Sequence, residues 1–273
     1  MIGSYPIGPG AIWSSVWKNR GLLRALVARE VVGRYRGSLL GILWSFFNPV
    51  FMLLVYTFVF SVVFKARWQS HSDSRPEFAF VLFAGLIVFN LFAECVNRAP
   101  SLVLANASYV KKVVFPLEIL PWVSLGSSLF HGFVSLAVWL VAYWIFFGTP
   151  PSTVLLFPLV IVPVVLLVMG LSWMLASLGV FLRDVSQVIG MFTMAMMFLA
   201  PVFYPVTALP QEFRTLLYWN PLTPAIESTR SVLYWGHLPD FGQLLMYTGF
   251  SAVIAWAGFA WFQKTRKGFA DVL

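Results

Sequence analysis

Glu227 and Arg230 stand three residues apart, the spacing at which an acid and a base on one helix face can pair. They sit near a strongly apolar stretch, and an ion in the middle of a bilayer costs roughly 2.5–3.5 kcal/mol on insertion scales. A paired or pathway-facing location is therefore favoured over a lipid-facing one. Glu30 and Arg34 stand four apart in the favourable acid-before-base order and can pair in the same way. His131 lies amid Ser124, Ser127, Ser128 and Ser135, where a histidine either hydrogen-bonds one helix to another or relays a proton. Beyond these groups the chain is poor in reactive chemistry. Its ten acids are scattered and its three histidines are His71, His131 and His237. No G-x-x-x-x-G-K-[ST] phosphate loop occurs, so ATP is not bound here by that route, and H-E-x-x-H and G-x-S-x-G are also missing. The single Cys95 excludes an intramolecular disulfide and a cysteine metal site. Catalysis within the chain is not expected, and no catalytic or metal-ligating residue or cofactor is assigned to it.

The elements that position these groups follow from composition. Of 273 residues, 60% are hydrophobic and 10% charged, with mean hydropathy +0.84; soluble domains carry about 25% charge. Residues 37–64, 119–147, 153–182, 185–211 and 241–263 contain no Asp, Glu, Lys or Arg, and each reaches the ~20 residues of a spanning helix. Alternating barrel strands do not fit. A further uncharged run, 78–93, is short, and Asn90, Glu94 and Asn97 follow on the same helix. It is read as a span from about 78 to 98. The expected fold is an all-α integral membrane domain with six spans, at about 40–64, 78–98, 119–147, 153–182, 185–204 and 241–263. No cleavable leader is expected, because the basic residues from Lys18 to Arg36 come before the first long apolar run.

Six spans place both termini on one side. With the termini inside, the inner segments hold Lys18, Arg20, Arg24, Arg29, Arg34, Arg36, Arg98, Lys111, Lys112, Arg183, Lys264, Arg266 and Lys267, and the outer ones only Lys65, Arg67, Arg75, Arg214 and Arg230. That asymmetry satisfies the positive-inside rule. The net charge of +8 then marks a membrane face that attracts anionic lipid, and nucleic acid is not an expected partner. Residues 13–36 read as an amphipathic helix on the inner surface, with Leu22, Leu23, Leu26, Val27 and Val31 within half a turn and Arg20, Arg24 and Arg29 outside that arc. It either anchors to the membrane alone or also packs on a cytoplasmic partner through Glu30 and Arg34.

Two inner loops are candidates for the same docking role. Residues 104–118, "LANASYVKKVVFPLE", are too polar to span and too apolar for a free linker; a short helix begun near Asn106 or Ser108 would end before Pro116. In "FLRDVSQ", Arg183 can satisfy the end of one helix, and Asp184 with Gln187 resembles a capping box opening the next. Caps alone also account for that second loop.

On the outer side, "PVFYPVTALPQEFRTLLYWNPLTP" (201–224) holds five prolines, yet Phe203, Tyr204, Leu216, Leu217, Tyr218 and Trp219 are too apolar for a solvated loop. Thr223 followed by Pro224 reads as an N-cap and first helical position. Residues 201–238 are expected to form two short helices, either dipping back into the outer leaflet and shaping the exit of a pathway, or resting at the interface. Most of the 18% aromatic content is lipid-facing or interfacial; Trp44, Phe47, Phe51 and Tyr56 on the first span are candidates to line a conduit where rings stack on sugar faces.

Internal repeats are not evident, and intramembrane carboxylates for ion coupling are nearly missing. Energy comes from elsewhere, or the protein is a passive pore. Three blocks then resemble membrane subunits of ABC exporters for bacterial surface polysaccharides such as O-antigen, teichoic acid and capsule. They are "LVAREVVGRYRGSLLGILWSFFNPVFMLLVYTFVFSVVF" (26–64), "LFPLVIVPVVLLVMGLSWMLASLGVFLRDVSQVI" with its Leu-Arg-Asp turn, and "PVFYPVTALPQEFRTLLYWNPLTPAIESTR". The similarity covers about 20 to 267.

The resemblance implies a homodimer of six-span subunits in the bacterial inner membrane, joined to two copies of a separate ATPase that binds ATP and Mg. The cargo it implies is an undecaprenyl-type lipid-linked polysaccharide, moved outward between the subunits. Arg24, Arg29, Glu30 and Arg34 on the surface helix, and Asn106, Ser108, Tyr109, Lys111 and Lys112 in the loop, would receive motion from the ATPases, with Arg183 and Asp184 as a second contact. Trp44, Phe47, Phe51, Tyr56, Tyr204, Trp219, Glu227 and Arg230 would border the path. The same architecture serves exporters of small drugs and lipids, and a polyprenyl-lipid transferase is the alternative from another class.

Overall fold

Prolines and glycines punctuate the apolar runs into helices. The computed structural model describes residues 6–64, 68, 76–110 and 115–273. Among them every regular element is helical. Two short helices open the chain, α1 (Pro9–Lys18) and α2 (Arg20–Arg34), and α3 (Trp44–Tyr56) continues as a π-helix through Val63. Then come α4 (Glu77–Arg98), the four-residue α5 (Ala107–Val110), α6 (Leu120–Phe147), α7 (Phe157–Phe181) and α8 (Val185–Leu199). The short α9 (Gln211–Trp219) and α10 (Leu222–Arg230) precede α11 (Phe241–Thr265) and α12 (Phe269–Val272). Prolines stand in the first turns of α1, α6 and α7, where a missing N–H leaves no bond unmade. The Asp240 carboxylate caps α11 by accepting from the N–H groups of Gly242 and Gln243 at 2.9 and 3.0 Å. Gly148, at φ +86°, ends α6.

Five helical stretches are long and apolar enough to cross a membrane: Gly41–Val63, Glu77–Ser101, Leu117–Phe147, Ser152–Phe181 and Phe241–Val272. The expected span 185–204 differs. Its helix stops at Leu199 because Ala200 precedes Pro201 and is held extended. The resulting 15 residues rise about 22 Å at 1.5 Å per residue, short of the ~30 Å hydrocarbon core.

The helices run between two ends of one bundle. At the basic end, Ser15 on α1 donates to the Glu118 carboxylate at 3.1 Å, and Arg266 at the end of α11 pairs with the same carboxylate. Near the end of α7, Gly179 lies against the Pro100 carbonyl. At the far end, Thr153 donates to the Val232 carbonyl at 2.7 Å, and Asn220 donates to the Leu199 carbonyl at 3.3 Å. α8 therefore carries the chain from the basic end back to the far end, and the residues before α1 lie against the second half of α11, with Trp256 donating to the Ile7 carbonyl. The core forms around α4, the least promising stretch by composition, which is buried along almost its whole length.

α7 and α11 meet through glycines. A Cβ on Gly258 would lie 2.1 Å from the Gly170 carbonyl oxygen, and one on Gly170 would lie 2.4 Å from the Ile254 carbonyl oxygen. Only glycine lets the two backbones approach this closely. Gly258→Ala is expected to lower stability by about 1–3 kcal/mol through forced separation of α7 and α11. Thermal unfolding in detergent measures this, and an unchanged midpoint would show that the crossing tolerates a methyl group.

Three local expectations are corrected. The surface helix 13–36 is two helices, starting at Pro9 and broken at Asn19, whose side chain donates to the Ser15 carbonyl at 2.8 Å. Asp184 makes no side-chain cap; only its backbone carbonyl accepts from Gln187 and Val188. The helix expected to open with Thr223 begins at Leu222, and the Thr223 hydroxyl turns back to the Leu217 carbonyl at 2.7 Å, tying α10 to α9.

Candidate functional site

Most of the residues assigned to coupling gather at the basic end. Arg29 reaches the Tyr109 hydroxyl at 3.3 Å, joining α2 to α5 across 80 positions of chain. The Tyr109 ring stacks on Phe115 with centroids 4.2 Å apart. Asn106 donates to the Leu102 carbonyl at 2.8 Å and closes its own turn. Ser108, Arg24, Arg183 and Asp184 are exposed, the last two on the turn between α7 and α8. Lys111 and Lys112 lie outside the described residues. The Glu118 clamp described above adds α1 and the end of α11 to this assembly, and Arg266 also donates to the Phe115 carbonyl at 2.8 Å. Spacing gives no signal for Glu118 and Arg266, which are 148 positions apart.

Glu30 and Arg34 do not pair with each other. Each reaches α4 instead: Arg98 pairs with Glu30, and Arg34 pairs with Glu94. Arg98 also lies 3.7 Å from Glu94 one turn before it. On an ideal helix Glu30 and Arg34 share a face, and here that face is turned onto α4, where an opposite charge waits for each. The four side chains are between 20% and 39% exposed, so each pair contributes about 0–1 kcal/mol to stability. Their geometric effect is larger, because they fasten α2 to the end of the central helix. Beside them Tyr35 sits 3.4 Å from His131 Nδ1 on α6. Burial pushes the Tyr35 hydroxyl above its ordinary value, against the pull of Arg34, so it remains a protonated hydroxyl facing the imidazole. This is a helix-to-helix contact.

The residues assigned to a path fall in three separate places. Trp44, Phe47 and Phe51 are exposed and Tyr56 is half-buried on α3; Phe47, Phe51, Leu54 and Phe58 form one uncovered stripe. α8 carries a second stripe through Met191, Met194 and Phe198. Tyr204 and Trp219 border an apolar groove of about 710 Å³ between α8, α9 and α11, and the Tyr204 hydroxyl donates to the Phe198 carbonyl at 2.9 Å.

Glu227 and Arg230 do pair, at 2.8 Å, but the guanidinium is 1% exposed. Its Nε donates to the Val81 carbonyl at 3.1 Å and its Nη2 to the Val202 carbonyl at 2.7 Å, while the Trp68 ring lies 4.3 Å from Cζ. A guanidinium keeps its charge at neutral pH, and the Glu227 carboxylate balances it. Gly85 makes room for it, since a Cβ there would lie 3.0 Å from Nη2. Arg230 is thus a clamp inside the subunit, joining α10, α4 and the turn after α8, whereas Glu227 keeps a partly exposed carboxylate.

Comparison with known proteins places the sequence in a family. A profile of the ABC-2 type transporter family matches residues 21–234. The O-antigen export system permease protein RfbA of Myxococcus xanthus is 31% identical over 258 residues, covering 94% of this chain and 96% of that protein. The protein of the same name from Klebsiella pneumoniae is 28% identical over 255 residues, with 92% and 95% covered. The polysialic acid transport protein KpsM of Escherichia coli is 23% identical over 252 residues, with 90% and 93% covered.

Proposed function

Because the chain belongs to the ABC-2 type transporter family, we propose that it is the membrane permease subunit of an ATP-driven exporter for a lipid-linked polysaccharide such as O-antigen. In this reading it works as a homodimer in the bacterial inner membrane, joined to two copies of a separate ATPase that supplies ATP and Mg chemistry. The observation that carries it is the end-to-end similarity to O-antigen export permeases. The cargo is extended from their names to this chain.

The architecture supports the reading in three ways. α8 returns the chain to the far end, and in this reading it is a sixth crossing beside the five long helices, completed beyond its short length by α9 and α10 dipping into the outer leaflet. Both termini then lie on the cytoplasmic side, with most of the basic residues. The uncovered aromatic and methionine stripes of α3 and α8 suit a face shared by two copies, through which a glycan passes along ring surfaces. The gathering of α1, α2, α5, Glu118 and Arg266 at the basic end suits a surface pushed by the ATPases.

Affinity purification from native membranes in mild detergent, with native mass and ATP hydrolysis measured on the same sample, tests this directly. Two copies of this chain with two ATPase subunits and ATP turnover are expected. A lone chain without ATPase, or turnover of a polyprenyl lipid by the chain itself, would overturn the reading.

A further inference from the structure

α4 carries Asn90, Glu94 and Asn97 on one face, spaced four and three apart as helix geometry requires. That face borders an open-sided chamber of about 360 Å³ between the end of α2, α3, α4 and α6, within the size range of small-molecule sites. Asn48 on α3 and Asn90 are exposed and make no side-chain hydrogen bond among the described residues. Amides cannot face hydrocarbon cheaply without a partner, so this face meets something polar. His131 Nε2 at the chamber wall is buried and has no hydrogen-bond partner among the described residues. Pro49 also lines the chamber; as a residue inside α3 it leaves the Ser45 carbonyl without its helical N–H, and Ser45 is a wall residue too. Thr193 on α8 donates to Asn97 at 2.8 Å and marks the α8 edge of this polar face.

The charges of the wall select the guest. Arg34 is paired with Glu94, and its neighbour Arg98 with Glu30, so these two cations are balanced by two carboxylates and the wall, among the described residues, carries no net positive charge to draw a phosphate or carboxylate. What remains are the amides of Asn48 and Asn90, the hydroxyls of Ser128 and Ser135 and the second ring nitrogen of His131, whose Nδ1 already faces Tyr35; amides and hydroxyls donate and accept at once and so match the hydroxyls of a guest. We infer that this chamber is a recognition subsite for an uncharged, hydroxyl-rich ring, a sugar unit of the cargo, held by Asn48, Asn90 and His131. The inference rests on the reading of the chain as a glycan exporter and adds the position and chemistry at which the glycan is read.

The test uses the complex purified from native membranes and two photoreactive detergents, a dodecyl maltoside with a diazirine on the sugar and a dodecylphosphocholine with a diazirine on the headgroup. Cross-linked peptides are mapped by mass spectrometry, and ATP hydrolysis is measured on the same sample. The maltoside probe is expected to label α3, α4 or α6 beside the chamber in preference to the phosphocholine probe. Labelling should fall roughly five- to tenfold in Asn48→Leu and Asn90→Leu, the range expected for one lost hydrogen bond, and largely persist in Asn90→Gln. Neither asparagine holds another side chain in place, so these variants should fold. Equal labelling by both probes, or labelling unchanged in the leucine variants, would overturn the subsite. In a complex that still hydrolyses ATP, that result leaves the exporter reading standing; specific labelling of a chain with no ATPase would sink the exporter reading and keep the subsite.

Discussion

Arg230→Met is expected to lower the stability of the folded chain by about 1–3 kcal/mol, the cost of stripping a buried hydrogen-bond acceptor of its donor. The Val202 carbonyl would lose its donor, and a buried acceptor left unpaired costs about 1–3 kcal/mol; the Val81 carbonyl, inside α4, keeps its helical N–H partner and loses only its second donor. Glu227 contributes little to this loss because its side chain is 41% exposed and can return to solvent. Arg230→Lys should rescue poorly. One ammonium on a single stem cannot reach two carbonyls and a carboxylate on three different elements, as the planar fork does. The measurement is the fraction of monodisperse protein surviving a temperature ramp in detergent, read beside glycan export in cells. Parental stability in Arg230→Met, with export lost, would move Arg230 from the interior clamp to the transport path.

Which features were legible in the sequence depended on whether their cause is local. Uncharged length marks a helix wherever the surroundings are apolar, so α3, α6, α7 and α11 stand where the runs predict. The Glu227–Arg230 pair is visible because three residues bring two side chains onto one helix face. The same reasoning fails for Glu30 and Arg34: four residues place them side by side, but partners 68 and 60 positions away are nearer in charge and geometry. Glu118 with Arg266 is hidden for the same reason. Composition also misjudges α4. Asn90, Glu94 and Asn97 made it the doubtful span, yet those residues occupy one face and the rest of the helix is packed on by its neighbours. The path residues were grouped by type, being aromatic or charged and near a membrane face. The fold separates them because type does not determine which side of a helix is covered, and Arg230 is drawn inward by carbonyls that no motif announces.

Glu30→Lys or Arg98→Glu is expected to reduce export roughly tenfold while insertion and assembly with the ATPase persist, a loss within the usual range of coupling between sites. Stability should barely move, because pairs this exposed contribute about 0–1 kcal/mol. The argument turns on geometry. α2 touches α5 through Arg29 and Tyr109 and α4 through two crossed ion pairs, so a push on the basic surface reaches the central helix through these charges. Reversing both residues, Glu30→Lys with Arg98→Glu, restores the attraction in the opposite sense. Recovery should be incomplete, to within about threefold of the parent, because the new acid stands one turn from Glu94 and like charges at that spacing repel. Surface glycan and ATP hydrolysis by the purified complex are the two readouts, and their ratio reports coupling. If both single variants assemble and hydrolyse ATP but the double reversal recovers nothing, Glu30 and Arg98 act separately, and Glu30 belongs to a contact with the ATPase rather than to a latch on α4.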